Sequence, residues 1–275
     1  MKTKLTKGFN QEVSNEEYHG DRKYKSSSAL KLILKDPREY YKKYVLGEAE
    51  PLRSDSLSVG SYTHTLVLEP HLEEVEYAVF TGSRRSGKDW EAFKEENEGK
   101  TIITSSQKYL VDEMIRNYKE SSVVVGEHGN EKEVPISTFF SGGAAEETLC
   151  GEINGYPVKV RFDYRQEFED YGIISDLKTT AGSIAKKEDV AEVCEYWNYP
   201  LSAALYVDLV TQVTGKPHDF YFVFMSKSGS KECKIFKASE DFLQRGREDY
   251  LKAIELLKEA EATGIYFENK IEELE

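Results

Sequence analysis

The sequence predicts an α/β fold in which a mixed β-sheet, with an antiparallel hairpin at its centre, is flanked by helices. Three observations predict it. Apolar and charged residues alternate along 157–163 and again along 174–178, the period of half-buried strands. Asn154-Gly155 lies between two alternating segments, a strong signal for a two-residue hairpin. Helical segments precede this strand set, and a helix, two strands and a long helix follow it, an order that suggests a sheet covered by helices.

In chain order, residues 1–25 are polar and pattern-poor and read as a flexible N-terminal arm, with a single domain over 26–275. Ser26, Ser27 and Ser28 offer N-caps to a helix from Ala29 to Leu34. Asp36-Pro37 opens a second helix, Arg38 to Leu46, with Tyr40, Tyr41 and Tyr44 as packing residues. Gly60 to Glu69 reads as an apolar helix that carries His64 and stops at Pro70. A loop over 81–88 holds Arg84, Arg85 and Lys88 ahead of a helix starting near Asp89, and Ser105 or Ser106 caps the next helix, which runs through Tyr118. Pairing outward from Asn154-Gly155 sets Ile153 beside Tyr156 and Glu146 beside Asp163. A connection centred on 168–170 then sets Asp163 opposite Asp176. One helix carrying Tyr196, Tyr199 and Tyr206 follows, then strands at Phe220–Ser226 and Lys234–Ala238, and Ser239 caps a charged helix ending near Gly264.

Composition removes several function classes. No apolar run is long enough to span a bilayer and the first residues lack a secretory signal, so a cytoplasmic protein with no membrane partner is expected. Cys150, Cys194 and Cys233 are far apart and form no C-x-x-C pair, which argues against a disulfide framework, a zinc knuckle or a four-cysteine iron–sulfur cluster. A net charge of −13 argues against a basic nucleic-acid coat. It does not exclude a locally basic channel, and carboxylates that hold cations add to the negative total.

Asp163, Asp176 and Lys178 carry the chemistry. Alternation puts Asp176 and Lys178 on one strand face, and Asp163 across from Asp176 makes a like-charge pair that destabilises a sheet by itself. A divalent cation resolves that conflict, and two carboxylates with an ammonium outline phosphodiester hydrolysis. Against this stands the bland alternative, an Asp-x-Lys on the polar face of a strand in an acidic protein. Glu146 is a third carboxylate candidate, with an exposed strand-edge glutamate as its equal alternative.

Further segments carry a family likeness. Ser27-Ser28-Ala29-Leu30 with Pro37 and Tyr40-Tyr41, then Gly60 to Pro70, Arg84, Arg85, Lys88 and Trp90, Arg161-Phe162-Asp163, Asp176-Leu177-Lys178-Thr179-Thr180 and Tyr199 to Tyr206 resemble, in order and spacing, the nuclease domain of exodeoxyribonuclease VIII, the RecE type, within the PD-(D/E)xK superfamily. The resemblance implies a PD-(D/E)xK nuclease-like core and Mg²⁺ or Mn²⁺ held by His64, Asp163, Asp176 and the Leu177 carbonyl, with Lys178 acting on the attacking water. It implies DNA contacts from Arg84, Arg85, Lys88, Arg161, Thr179, Tyr199 and Tyr206. It also implies 5′-to-3′ digestion of linear double-stranded DNA in phage-type recombination, a ring-shaped homo-oligomer and a RecT-like single-strand annealing protein as partner. Ser202 stands where that family has glutamine, so either another residue such as Asn198 substitutes or that contact is absent, and 226–231 lacks an expected proline. The competing readings are a RecB-like or CRISPR-associated nuclease without an iron–sulfur cluster, and a module that grips DNA ends or a protein without cutting.

Overall fold

A computed structural model describes residues 5–48, 55–126 and 130–267. The chain enters through β1 (Gly8–Asn10), α1 (Asn15–Gly20) and β2 (Lys25–Ser26), then α2 (Ser27–Lys35) and α3 (Pro37–Tyr40), which runs on as a π-helical turn over Tyr41–Leu46. Next come α4 (Asp55–Leu68), α5 (Glu73–Glu76), β3 (Tyr77–Phe80), α6 (Lys88–Glu96), β4 (Thr101–Thr104), α7 (Ser105–Glu120), β5 (Ser122–Val125) and β6 (Lys132–Pro135). The central strands β7 (Ala144–Ile153), β8 (Tyr156–Glu167) and β9 (Gly172–Thr180) follow, then α8 (Lys187–Tyr196), α9 (Tyr199–Thr214), β10 (His218–Ser226), β11 (Cys233–Lys237) and α10 (Glu240–Thr263). The main sheet runs β1-β7-β8-β9-β10-β11, with β2 also paired to β8. It is mixed: β9 and β10 are parallel, while β7, β8 and β9 form the antiparallel centre.

The hairpin register is the one alternation demands. Ile153 pairs with Tyr156, and Asn154 and Gly155 both take positive φ, as a two-residue turn of this hand requires. Alternate residues Val158, Val160 and Phe162 of β8 point into the main core, where α2, α9 and α10 cover the sheet. On the opposite face Leu177, Val223 and Met225 meet Met114 and Tyr118 of α7. A one-residue slip of β8 would carry its charged residues into the main core and its apolar ones out of it.

Two departures from a regular sheet position the site. The β8–β9 ladder runs from Glu167↔Gly172 to Tyr164↔Ser175 and ends there. Beyond that point β2 runs parallel to β8, at Lys25↔Val158 and Ser26↔Lys159, so the sheet forks just where Asp163 and Asp176 stand. On the other side, Glu146 falls between the pairs Ala145↔Tyr164 and Glu147↔Phe162, out of the ladder with φ +50°. A non-glycine residue in the left-handed region costs roughly 1–3 kcal/mol, and such strain concentrates at functional sites.

Several expectations are corrected. The segment read as a flexible arm over 1–25 is structured through its described part: β1 pairs with β7, a capping box of Ser14 and Glu17 starts α1, and Leu5, Tyr18 and Tyr24 are buried. Lys159 is a further tie: its ammonium is inside the protein and donates to the Tyr18 and Asp21 carbonyls. The helix read through Tyr196, Tyr199 and Tyr206 is two helices, broken at Asn198, which adopts φ 45° and caps α9 by accepting from the Leu201 N–H. The cap of α7 is Thr104, in a capping box with Gln107, in place of Ser105 or Ser106. All three cysteines are free and buried. Among the described residues no helix is long and apolar enough to cross a membrane.

Candidate metal centre and active site

At the fork, Asp163 Oδ2 accepts the Leu177 N–H at 2.7 Å, a side-chain bond standing where the ladder has stopped. Helix α4 packs on β9 closely enough that a Cβ on Gly60 would lie 3.3 Å from Thr179 Oγ1, and this approach brings His64 over the strand. His64 Nδ1 lies 3.7 Å from Asp163 Oδ2. One ligand atom from each of His64, Glu146 and Asp163 falls within 4.8 Å of the others. Glu146 reaches this cluster because its left-handed backbone takes it out of the ladder.

Asp176 stands apart from that trio. Its carboxylate is buried and paired with the Lys178 ammonium, which also donates to the Leu177 carbonyl at 3.3 Å. The Tyr199 ring centroid lies 5.4 Å from that ammonium and 5.2 Å from the Lys31 amine.

Electrostatics mark the cluster as short of positive charge. Burial, with the neighbouring Asp163 carboxylate, pushes the Glu146 carboxyl up to about 8. Burial also lifts Asp176 to about 6 against the pull of Lys178, with Asp163 adding to the rise. Burial lowers the His64 imidazole, which keeps it neutral with a lone pair to offer, although Asp163 opposes the shift. A neutral imidazole, two carboxylates and the Leu177 carbonyl bonded by that imidazole are a donor set that fits a hard divalent cation.

The residues expected to touch DNA divide into groups. Thr179 and Tyr199 line the open cleft that His64 and Glu146 also line. Arg84 and Lys88 are exposed and form no ion pair or hydrogen bond with any described residue. Arg85 is already engaged, donating to Asp55 Oδ1 and Gln107 Oε1 at 2.7 Å each, so it staples the loop to α4 and α7. Arg161 also lines the cleft, but its guanidinium donates to Asn15 Oδ1 and the Val13 carbonyl and lies 4.4 Å from the Tyr18 ring centroid. Tyr206 sits beneath the carboxylates, edge-on to Phe162 and Phe220, with its hydroxyl bonded to Ser27. Asn198, one of the two alternatives for the family's glutamine, has its side chain engaged with Asp249 and the start of α9.

Sequence reasoning passed over two contributors. Lys31 reaches Tyr199 from α2, and burial with the nearby Lys178 charge lowers its pKa to about 7. Only its place on a capped helix was visible beforehand, and its neighbours are distant in sequence. Residues 12–16 form one wall of the cleft, a role with no local signature.

The comparisons agree with this architecture. A family model described as a PDDEXK-like domain of unknown function (DUF3799) matches residues 26–265. The crystal structure of a candidate exonuclease from Eubacterium rectale, 19% identical, superposes with a TM-score of 0.61 over 92% of this chain and 88% of its own. At that identity the likeness bears on the fold alone; the family match is what makes that fold PDDEXK-like. The crystal structure of SSO0001, 14% identical over 81% of this chain and 85% of its own, has a TM-score of 0.28 and carries no argument. No curated protein matches the chain.

Proposed function

We propose that this chain, which belongs to the PDDEXK-like family, is a Mg²⁺- or Mn²⁺-dependent exodeoxyribonuclease that hydrolyses linear double-stranded DNA. The observation that carries the reading is the meeting of His64, Glu146 and Asp163 at a sheet fork, beside a lysine anchored by Asp176. His64, Asp163, Asp176 and the Leu177 carbonyl would hold the ion, with Glu146 as a further donor, and the imidazole shifts preference somewhat toward Mn²⁺. When bound, the ion supplies Lewis acidity toward the phosphate and the attacking water. Lys178 places a fixed positive charge next to that phosphate. Asp176 sets the ammonium's position, and Tyr199 closes one side against solvent. The likeness to the RecE type supports 5′-to-3′ polarity, phage-type recombination, a ring-shaped homo-oligomer and a single-strand annealing partner as the finer form of the proposal.

End-labelled linear duplex should be degraded with Mg²⁺ or Mn²⁺ and spared in chelator, while closed circles survive. Digestion of closed circles at the same rate would exclude an end-dependent enzyme. The label position reads the polarity.

The loop ahead of α6 gives a second test. Arg84 and Lys88 are the uncommitted cations there, so replacing both with alanine should weaken DNA binding and reduce the log–log salt slope by about 2, one unit for each phosphate left without its cation. Arg85→Ala should instead lower stability, because it releases Asp55 and Gln107. A salt slope unchanged in the double variant would return the loop to a solvated surface.

A further inference from the structure

The junction between α8 and α9 presents two large aromatic residues to solvent. Tyr196 is 71% exposed and Trp197 55%. Exposed aromatics of this size forgo a large hydrophobic gain, and here the backbone holds them out. The Trp197 N–H ends α8 by bonding the Val193 carbonyl, and the next residue, Asn198, turns the chain through the left-handed region. Asn198 is locked by its bond to Asp249 Oδ2 at 2.7 Å and by capping α9. The result is a reversal in which Tyr199 turns inward to Lys178 while Tyr196 and Trp197 face out.

The rings form an ordered set. Tyr196 and Trp197 pack edge to face with centroids 5.0 Å apart. Lys35, exposed on α2, lies 5.7 Å from the Tyr196 ring, and Lys31 one turn earlier lies 5.2 Å from Tyr199. Two lysines at i and i+4 therefore run beside the aromatics of this junction, and Trp197 lines the same cleft as His64 and Glu146. A π-face flanked by two lysines and continuous with a carboxylate cluster suits a strand whose bases are free to stack and whose phosphates need neutralising. In an intact duplex the base faces are already covered by their neighbours, so the matching polymer is unpaired.

We propose that Tyr196 and Trp197, with Lys31 and Lys35, form a stacking platform for the unpaired end of the nucleic-acid strand that enters the cleft. The proposal rests on the nuclease reading and adds its substrate form: strand ends are taken up single-stranded.

The chain has two tryptophans, Trp90 and Trp197, so Trp90→Phe leaves one reporter on the platform. In chelator, oligothymidylate should quench Trp197 emission. An abasic strand of equal length, followed by anisotropy, should bind more weakly and leave the emission unchanged. Trp197→Ala should reduce affinity for oligothymidylate on the order of ten- to a hundred-fold, the range for loss of one base–aromatic stack, and Trp197→Phe should recover most of it. Tyr196→Ala, tested separately, should show a loss in the same direction. If oligothymidylate saturates the anisotropy signal without quenching, or the alanine variants bind it as tightly as the wild type, the platform is overturned. Emission that changes with protein concentration and is indifferent to oligonucleotide assigns the face to a second copy and also overturns it. Cutting of labelled linear duplex by the same protein with Mg²⁺ is scored alongside. With cutting intact and no quenching, the platform alone fails; with no binding or cutting of any DNA, the nuclease reading fails first.

Discussion

Lys178→Ala is expected to lower metal-dependent DNA cutting roughly 10²–10⁴-fold, the contribution typical of a positioned proton-transfer or charge-stabilising group, and to leave affinity for DNA ends nearly unchanged. The ammonium is held by the Asp176 carboxylate, the Leu177 carbonyl and the Tyr199 ring before any substrate arrives. Burial opposes its charge, but Asp176 and Asp163 outweigh burial and raise its pKa. It is therefore a cation at neutral pH, suited to steadying charge on the phosphate and orienting water. Removing it leaves Asp176 buried without its partner, and breaking such a pair costs roughly 3–5 kcal/mol. The double variant Lys178→Ala/Asp176→Asn removes the stranded charge, so its melting curve shows how much of the single variant's loss is lost folding. Single-turnover cutting measured beside end binding in chelator divides the effect between chemistry and affinity. Turnover within a few-fold of the wild type, in a variant whose melting curve is intact, would remove Lys178 from the mechanism.

The parts of the fold legible beforehand are those specified by neighbours in sequence. Asn154-Gly155 fixes the β7–β8 register, and counting outward from it places Glu146 opposite Asp163. Alternation along β9 gives the Asp176 and Lys178 face, and serine at 26 and 239 caps helices as their local chemistry requires. What stayed hidden depends on partners far along the chain. β1 is three residues long and exists only as a strand added to β7. The arm is tied to a lysine more than a hundred residues away, and Arg85 and Arg161 are committed to Asp55, Gln107 and the first helix by contacts that no periodicity encodes. The break at Asn198 was masked for a different reason: tyrosines at 196, 199 and 206 keep helical spacing, and one asparagine in a left-handed conformation is enough to turn the chain between them.

The fork itself can be tested without DNA, through Glu146→Gln. In the folded state the Glu146 carboxyl sits at about 8 against an ordinary value of 4.5, because burial and Asp163 disfavour its charge. A raised folded-state pKa means that the stability tied to this proton is fully present below about 4.5 and is lost as pH rises through about 8. Asp176, lifted from 3.8 to about 6, contributes in the same direction over a lower window. Each pKa unit corresponds to about 1.4 kcal/mol, so at pH 8 the metal-free wild type should be destabilised by on the order of a few kcal/mol relative to pH 5. Glutamine carries no charge to bury, so the variant should melt several degrees higher than the wild type in chelator at pH 8, about 2–4 °C for each kcal/mol recovered. Mn²⁺ should reverse that order. A ligand that binds only the folded state adds about 2.7 kcal/mol at a hundredfold excess over its dissociation constant, and the variant has lost one of the donors. Asp163→Asn is a less clean probe, because Asp163 Oδ2 also accepts the Leu177 N–H. Thermal melts at pH 5 and pH 8, with chelator and with Mn²⁺, decide the matter: parallel pH curves and equal Mn²⁺ shifts in wild type and Glu146→Gln would place the metal away from the fork.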